Sequence, residues 1–172
     1  RRPPALRTWA SSRLASDIEV WGIGLGEALG GLGRLSSPRL EAVTELLTDL
    51  VAISETLPTA RPRVLVVDNV DKYEDNGISQ LYERLQKTEA VRTIGSLEMR
   101  NMSGYTANVM LDEVRRESTL LLLQPENSIE VMQMTGVRVS LRPGLRMAAG
   151  RGILIAGRVP CMIQVAADPA CV

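Results

Sequence analysis

Arg61-Pro62-Arg63-Val64-Leu65-Val66-Val67-Asp68-Asn69-Val70-Asp71 is the stretch whose reading decides the fold. Four branched apolar residues run from Val64 to Val67 without alternation, and a carboxylate closes the run at Asp68. A strand apolar on both faces suits the middle of a parallel sheet with helices above and below it. In such sheets ligands gather at the carboxyl ends of the strands, and Asp68 stands at that end. Two readings of the aspartate follow. In one it closes a Walker B strand and holds the water shell of a nucleotide-bound Mg²⁺, a hard cation that wants oxygen ligands and keeps several waters. In the other, Asp68 or Asn69 simply begins a turn toward the next helix. The stretch alone leaves both open.

Working outward, Ser36-Ser37-Pro38 reads as a helix start, with a hydroxyl at the N-cap and proline in the first turn. Leu40, Val43, Leu46, Leu47, Leu50, Ile53 and Leu57 recur at helical spacing, Arg39, Glu41, Glu45, Asp49 and Glu55 take the other face, and Pro58 ends the helix. Beyond the central strand, Lys72 to Gly77 is a polar turn. Ile78, Leu81, Tyr82 and Leu85 mark a helix ending near Ala90, and Thr93 to Leu97 reads as a strand. Arg100 to Gly104 is a loop at its end, and a helix runs from about Tyr105 to Arg116. Ser118 to Leu123 is a second apolar run without alternation and reads as another buried strand. Ser128 to Gln133 is a short helix ended at Gly136. Ile153-Leu154-Ile155 and Cys161 to Val165, with glycine between them, read as a β-hairpin. Upstream, Asp17 to Ile23 alternates like a half-buried strand, and Leu6 to Leu14 suggests a short helix.

Alternating helices and buried strands predict an α/β layered domain with a mostly parallel sheet. The length, 172 residues, suits one domain: an irregular, Gly-rich lead-in over 1–37, an α/β core over 38–148 and a closing hairpin over 149–172. Three core strands make a thin sheet. One or two further strands, and the phosphate loop with them, are expected ahead of Arg1.

Composition excludes several chemistries. The chain has no histidine, which removes His-based triads, His-ligated metals and imidazole bases. Cys161 and Cys171 form no CxxC pair, so a zinc site is not expected; two free thiols in a reducing compartment is the preferred reading. Twenty basic residues balance twenty acidic ones, which gives no global field for nucleic acid or anionic lipid. Arg1-Arg2-Pro3-Pro4 is followed by no apolar segment, so no signal peptide is read there. Six glycines crowd Gly22 to Gly33, yet no start satisfies GxGxxG, and GxxxxGK[ST] fails because no lysine precedes Lys72. A surface loop explains them.

The ordered set resembles the second half of an FtsK/SpoIIIE-type P-loop ATPase domain. It comprises the Arg61–Asp68 strand, the amphipathic helix before it, the Ser118–Leu123 strand, and Gly150-Arg151-Gly152-Ile153-Leu154-Ile155 with Ile163-Gln164-Val165-Ala166. It is most similar to the last ATPase domain of the EccC-type ATPases of type VII secretion, and spans roughly residues 60–167. The resemblance implies a three-layer RecA-like P-loop NTPase fold closed by the C-terminal hairpin. It implies ATP and Mg²⁺ as cofactors, with neither zinc nor haem. Asp68 would be the Walker B aspartate, holding Mg²⁺ through water. The family's next residue is commonly acidic and polarises the attacking water; here it is Asn69, and an amide accepts no proton. Asp71 is the nearest substitute, lying on the face of Asn69 if the strand continued. Arg100 and Asn101 could touch a γ-phosphate or form a solvated loop; Arg151 could meet a phosphate or a neighbouring subunit, or mark a tight turn.

Three functions follow. The first is a degenerate motor-family domain in a membrane-associated secretion ATPase, at the cytoplasmic face of the membrane. It would bind or regulate export of small helical substrates, with other secretion-complex subunits as partners in an oligomeric ring. The second is an active ATP-driven translocase of DNA or protein, with DNA disfavoured by the neutral charge balance. The third is an α/β interaction module that binds no nucleotide.

Overall fold

The computed structural model describes residues 18–25, 34–57, 62–97, 108–116, 119–141, 147–148 and 150–165. The chain divides into two compact units, Arg1–Glu113 and Val114–Val172.

The first unit follows the order β1 (Glu19–Ile23), β2 (Leu35–Ser36), α1 (Leu40–Thr56), β3 (Arg63–Val67), a 3-10 turn (Val70–Lys72), α2 (Asn76–Lys87), β4 (Val91–Gly95) and the start of α3 (Val109–Arg116). Its sheet has the strand order β2-β1-β3-β4, and every described pair is parallel. The non-alternating run therefore sits where its composition places it: all five residues of β3 are buried, with a strand on either side. The register runs straight across the sheet, Glu19 to Ile23 opposite Arg63 to Val67 opposite Val91 to Gly95. Trp21, Leu65 and Thr93 thus share one face, while Val20, Val64 and Arg92 share the other. Arg63 lies on the Trp21 face and donates from Nη1 to Leu57 O, just past the end of α1, which puts α1 over that face. Right-handed crossovers put α2 on the same side. The two helices meet there, with Arg84 Nη2 donating to both carboxylate oxygens of Glu55. On the opposite face Val20, Val64 and Val66 are buried with Leu25, and Ile18, Leu35 and Ile94 pack against them.

Several expectations shift. The first strand was expected to be half-buried; Val20, Trp21 and Ile23 are fully buried, because β1 is interior, between β2 and β3. Ser36 does not cap α1. It is taken up by β2, opposite Ile23, and its carbonyl accepts from Gly24 N–H, so the helix starts at Leu40 with Arg39 at an N-cap that has no side-chain bond. The strand read from Thr93 begins two residues earlier, at Val91. The expected helix over Leu6–Leu14, most of the glycine cluster (26–33) and the Arg100–Gly104 loop lie outside the described residues.

The second unit holds β5 (Thr119–Leu123), α4 (Ser128–Thr135), β6 (Arg151–Ala156) and β7 (Val159–Gln164), with a sheet order β5-β6-β7 that is antiparallel throughout. The hairpin is where the sequence puts it. Gly157 and Arg158 form its two-residue turn, both at positive φ (55° and 67°), as the twist of paired strands favours. The Ser118–Leu123 run was expected to be a buried strand of the parallel sheet. Instead β5 pairs antiparallel with β6 and is covered on one side only: Leu122 is buried, and Leu121 is 41% exposed. The buried side, Leu122, Ile153 and Ile155, packs on Val131 of α4 and on Val137. Gly136, at φ 68°, stops α4 as a left-handed residue after a helix does. No helix among the described residues is long and apolar enough to cross a membrane.

Candidate functional site

β3 ends at Val67, and the chain emerges between its two neighbours. Asp68 N–H donates to Ile23 O of β1 at 3.0 Å, and Ser96 N–H, just past β4, donates to Val67 O at 2.9 Å. Asp68 is thereby set at the carboxyl end of the central strand, 6% exposed. Its Oδ1 accepts from Ser96 Oγ at 2.7 Å, and the same Oγ accepts from Asn69 N–H at 2.9 Å. The backbone then reverses. Asn69 takes left-handed angles (φ 57°, ψ 64°), and the 3-10 turn follows, with Lys72 N–H donating to Asn69 O at 3.0 Å. Asparagine is one of the few residues with a side chain that enters this region readily. Asn108 braces the turn from α3: its Nδ2 donates to Val70 O at 2.7 Å, while its Oδ1 accepts from Leu111 N–H at 3.1 Å and caps the helix.

On the β1 side, Gly24 closes the site. It sits at φ 73°, and a Cβ there would lie 3.0 Å from the Tyr73 hydroxyl and 3.4 Å from Asp68 O. Tyr73 is itself buried. Ser96 thus bonds the buried Asp68 carboxylate, and Gly24 lies against the Asp68 backbone with Tyr73 on its other side.

Of the residues expected to act, the structure brings Asp68 and Asn69 together. Asp71 lies in the 3-10 turn, not in an extension of β3, so the strand register that would have placed it on the face of Asn69 does not reach it. Arg100 and Asn101 lie outside the described residues. Arg151 opens β6 in the second unit; it is exposed, and its N–H donates to Ala148 O across a turn in which Gly150 has φ 77°. Sequence reading missed Ser96 by counting it into a strand. The signal was register. If two parallel strands end together, as Val67 and Gly95 do, the residues just beyond them are neighbours, and Ser96 is the polar one beside Asp68.

Asp68 is a single carboxylate, which would meet a hydrated Mg²⁺ through water rather than ligate a metal alone. Among the described residues no group of three or more Asp, Glu, Cys or His side chains could hold a metal directly. A lone carboxylate suits an ion that keeps its waters and is otherwise held by phosphate oxygens. Asp68 Oδ2 makes no hydrogen bond with a described residue and is the oxygen that would meet such a water. Asn69 supplies no base.

No protein-family model matches this chain, and no curated protein matches it. Solved structures do match, two of them among others. One is the cytoplasmic domain of EssC, with a TM-score of 0.69 at 12% identity, covering 93% of this chain and 36% of that one. That likeness is one of fold: α/β with a parallel sheet, as in the RecA-like fold. The other is VirB4 of Thermoanaerobacter pseudethanolicus, with a TM-score of 0.53 at 17% identity, covering 80% of this chain and 42% of that one. At the level of fold, the two bear out the resemblance to FtsK/SpoIIIE-type ATPases. The chain spans well under half the length of either.

Proposed function

We propose that this chain is a degenerate ATPase domain of a type VII secretion motor, one that binds nucleotide or regulates export and does not turn ATP over. Its substrates would be small helical secreted proteins. Its place would be the cytoplasmic face of the membrane, within a larger chain and an oligomeric ring. The single observation that carries the reading is Asn69. It occupies the position after the strand-ending aspartate, it has no proton-accepting side chain, and its left-handed backbone selects asparagine over glutamate on conformational grounds. The likeness in fold to the cytoplasmic domain of EssC supports the secretion assignment. The buried Asp68 supports a retained nucleotide–Mg²⁺ contact.

The test is calorimetric titration of MgATP into the domain extended upstream to include the first strand and phosphate loop expected ahead of Arg1, as wild type and Asp68→Ala, with ATP turnover measured beside it. Binding heat that disappears in Asp68→Ala, with turnover at background, is the expected result. Robust turnover abolished by Asp68→Ala would make the domain an active motor. No heat in either protein would leave β3 as scaffold and the chain as an interaction module.

A further inference from the structure

β2 is the most lightly held strand of the parallel sheet. It has two residues, Leu35 and Ser36, where β1, β3 and β4 have five each. It stands at an edge and pairs with β1 alone. Two N–H groups of β1 and its end reach it: Gly22 donates to Arg34 O at 3.0 Å and Gly24 to Ser36 O at 3.2 Å. Side chains add a grip on each face. Leu35, half-buried, packs on the cluster of Val20, Leu25, Val64 and Val66. On the other face the Arg34 guanidinium lies 5.0 Å from the centroid of the Trp21 ring, and its Nη1 donates to Asp49 Oδ2 on α1. Trp21 is fully buried, whereas Arg34 and Asp49 are both more than half exposed. The latch across Trp21 is therefore a solvated ion pair, which contributes little and is screened by salt.

The same two-residue strand reaches the Asp68 turn. Gly24, held by Ser36 O, lies against Asp68, where a Cβ on the glycine would sit 3.4 Å from Asp68 O. Ile23 faces the other way, and its carbonyl accepts from Asp68 N–H at 3.0 Å. β2 can thus leave without breaking a bond between β1 and β3. We propose that β2 is a detachable strap, latched by Arg34 across Trp21 to Asp49, whose release lifts Arg34 off Trp21 and frees Gly24 beside Asp68 while β1, β3 and β4 stay paired. Elements held by few contacts open in this way, below the cost of global unfolding. The strap makes one wall of the Asp68 turn responsive to ionic strength, whatever that turn binds.

Native-state hydrogen exchange of the full chain, resolved by NMR, tests it. The Gly22 and Gly24 amides report the strap, and the Asp68 amide reports the β1–β3 pairing. In wild type the two glycines are expected to exchange faster than Asp68 and with a weaker dependence on sub-denaturing urea, because the strap exposes less surface than unfolding does. Arg34→Ala removes the ion pair and the ring contact and should speed both glycines about tenfold. Asp49→Asn removes the ion pair alone and should speed them about threefold, as should salt raised to about 1 M. Arg63→Ala loosens contacts that the open strap would keep, so it should speed Asp68 and leave the glycines at their wild-type rates. Should Arg63→Ala not fold, the urea dependence makes the same comparison. One rate and one urea dependence for all three amides overturns the proposal, since β2 then opens only with the sheet. So does an Arg63→Ala that speeds the glycines as much as Asp68, or an Arg34→Ala that leaves the glycines unchanged.

Discussion

Arg63 and Glu19 form a partly buried ion pair between the first residues of two neighbouring parallel strands, with Arg63 Nε 3.0 Å from Glu19 Oε2. The guanidinium is only 3% exposed, and it also donates to Leu57 O at 3.0 Å. One side chain therefore ties β1, β3 and the end of α1. Removing one member of a buried pair strands the other, at about 3–5 kcal/mol. Glu19→Gln leaves the buried guanidinium without its counter-charge, with Leu57 O still bonded to it, and is expected to cost about 2–4 kcal/mol; Arg63→Ala leaves behind a Glu19 that keeps some solvent and is expected to cost no more than that for the lost pair. Urea unfolding measures both. A Glu19→Gln loss below about 0.5 kcal/mol would mean that the bond to Leu57 O, not the ion pair, is what holds the buried guanidinium.

Two glycines of the second unit separate crowding from backbone conformation. At Gly152 in β6 an added Cβ would lie 2.5 Å from Leu122 O, a backbone atom that cannot move without breaking the β5–β6 ladder. At Gly157 in the hairpin turn nothing lies within 4 Å, but φ is 55°. Gly157→Ala should cost about 1 kcal/mol for the left-handed backbone. Gly152→Ala should cost about 2–3 kcal/mol as overpacking. Hydrogen exchange should show the Gly152→Ala loss first in the amides of β5, β6 and β7. A larger effect at Gly157 would contradict the account.

Asp75 caps α2, its Oδ1 accepting from Gly77 N–H at 2.8 Å and from Ile78 N–H at 3.1 Å. Asp75→Ala should lower stability by about 1 kcal/mol, and Asp75→Ser should restore most of it. Thermal melts of the two variants decide the point; a Ser variant as weak as Ala would mean that the bonds to the helix start contribute nothing.

The parts of the fold that were legible share a physical cause, as do the parts that were not. Val64 to Val67 could be read because a strand with neighbours on both sides and cover on both faces leaves no polar position free. Leu120 to Leu123 looks alike in sequence, yet β5 is covered on one side, and four leucines in a row do not say which side that is. Ser36-Ser37-Pro38 carried a helix-start signal, but pairing of β2 with β1, a long-range contact that no local pattern contains, claimed Ser36, and the helix begins only at Leu40. Asp68 could be named because it ends the run. Its partner Ser96 lies 28 residues away and becomes its neighbour only through the register of β3 with β4.

Asn69 shows why the site is not restored by charge alone. Its left-handed backbone costs an ordinary side chain about 1–2 kcal/mol, nothing for glycine and little for asparagine or aspartate. The backbone N–H of Asn69 is also the donor that orients the Ser96 hydroxyl toward Asp68. Asn69→Gly should therefore match wild type within about 0.5 kcal/mol, and Asn69→Glu should lose about 1 kcal/mol or more, which glutamate recovers only by leaving the left-handed region. Doing so would move the N–H and release the hydroxyl. Asn69→Glu is thus expected to melt below wild type and to hydrolyse no ATP, whereas Asn69→Asp keeps the turn and is the variant in which turnover could appear. Turnover gained by Asn69→Glu with full stability would show that the left-handed turn is no constraint on this position.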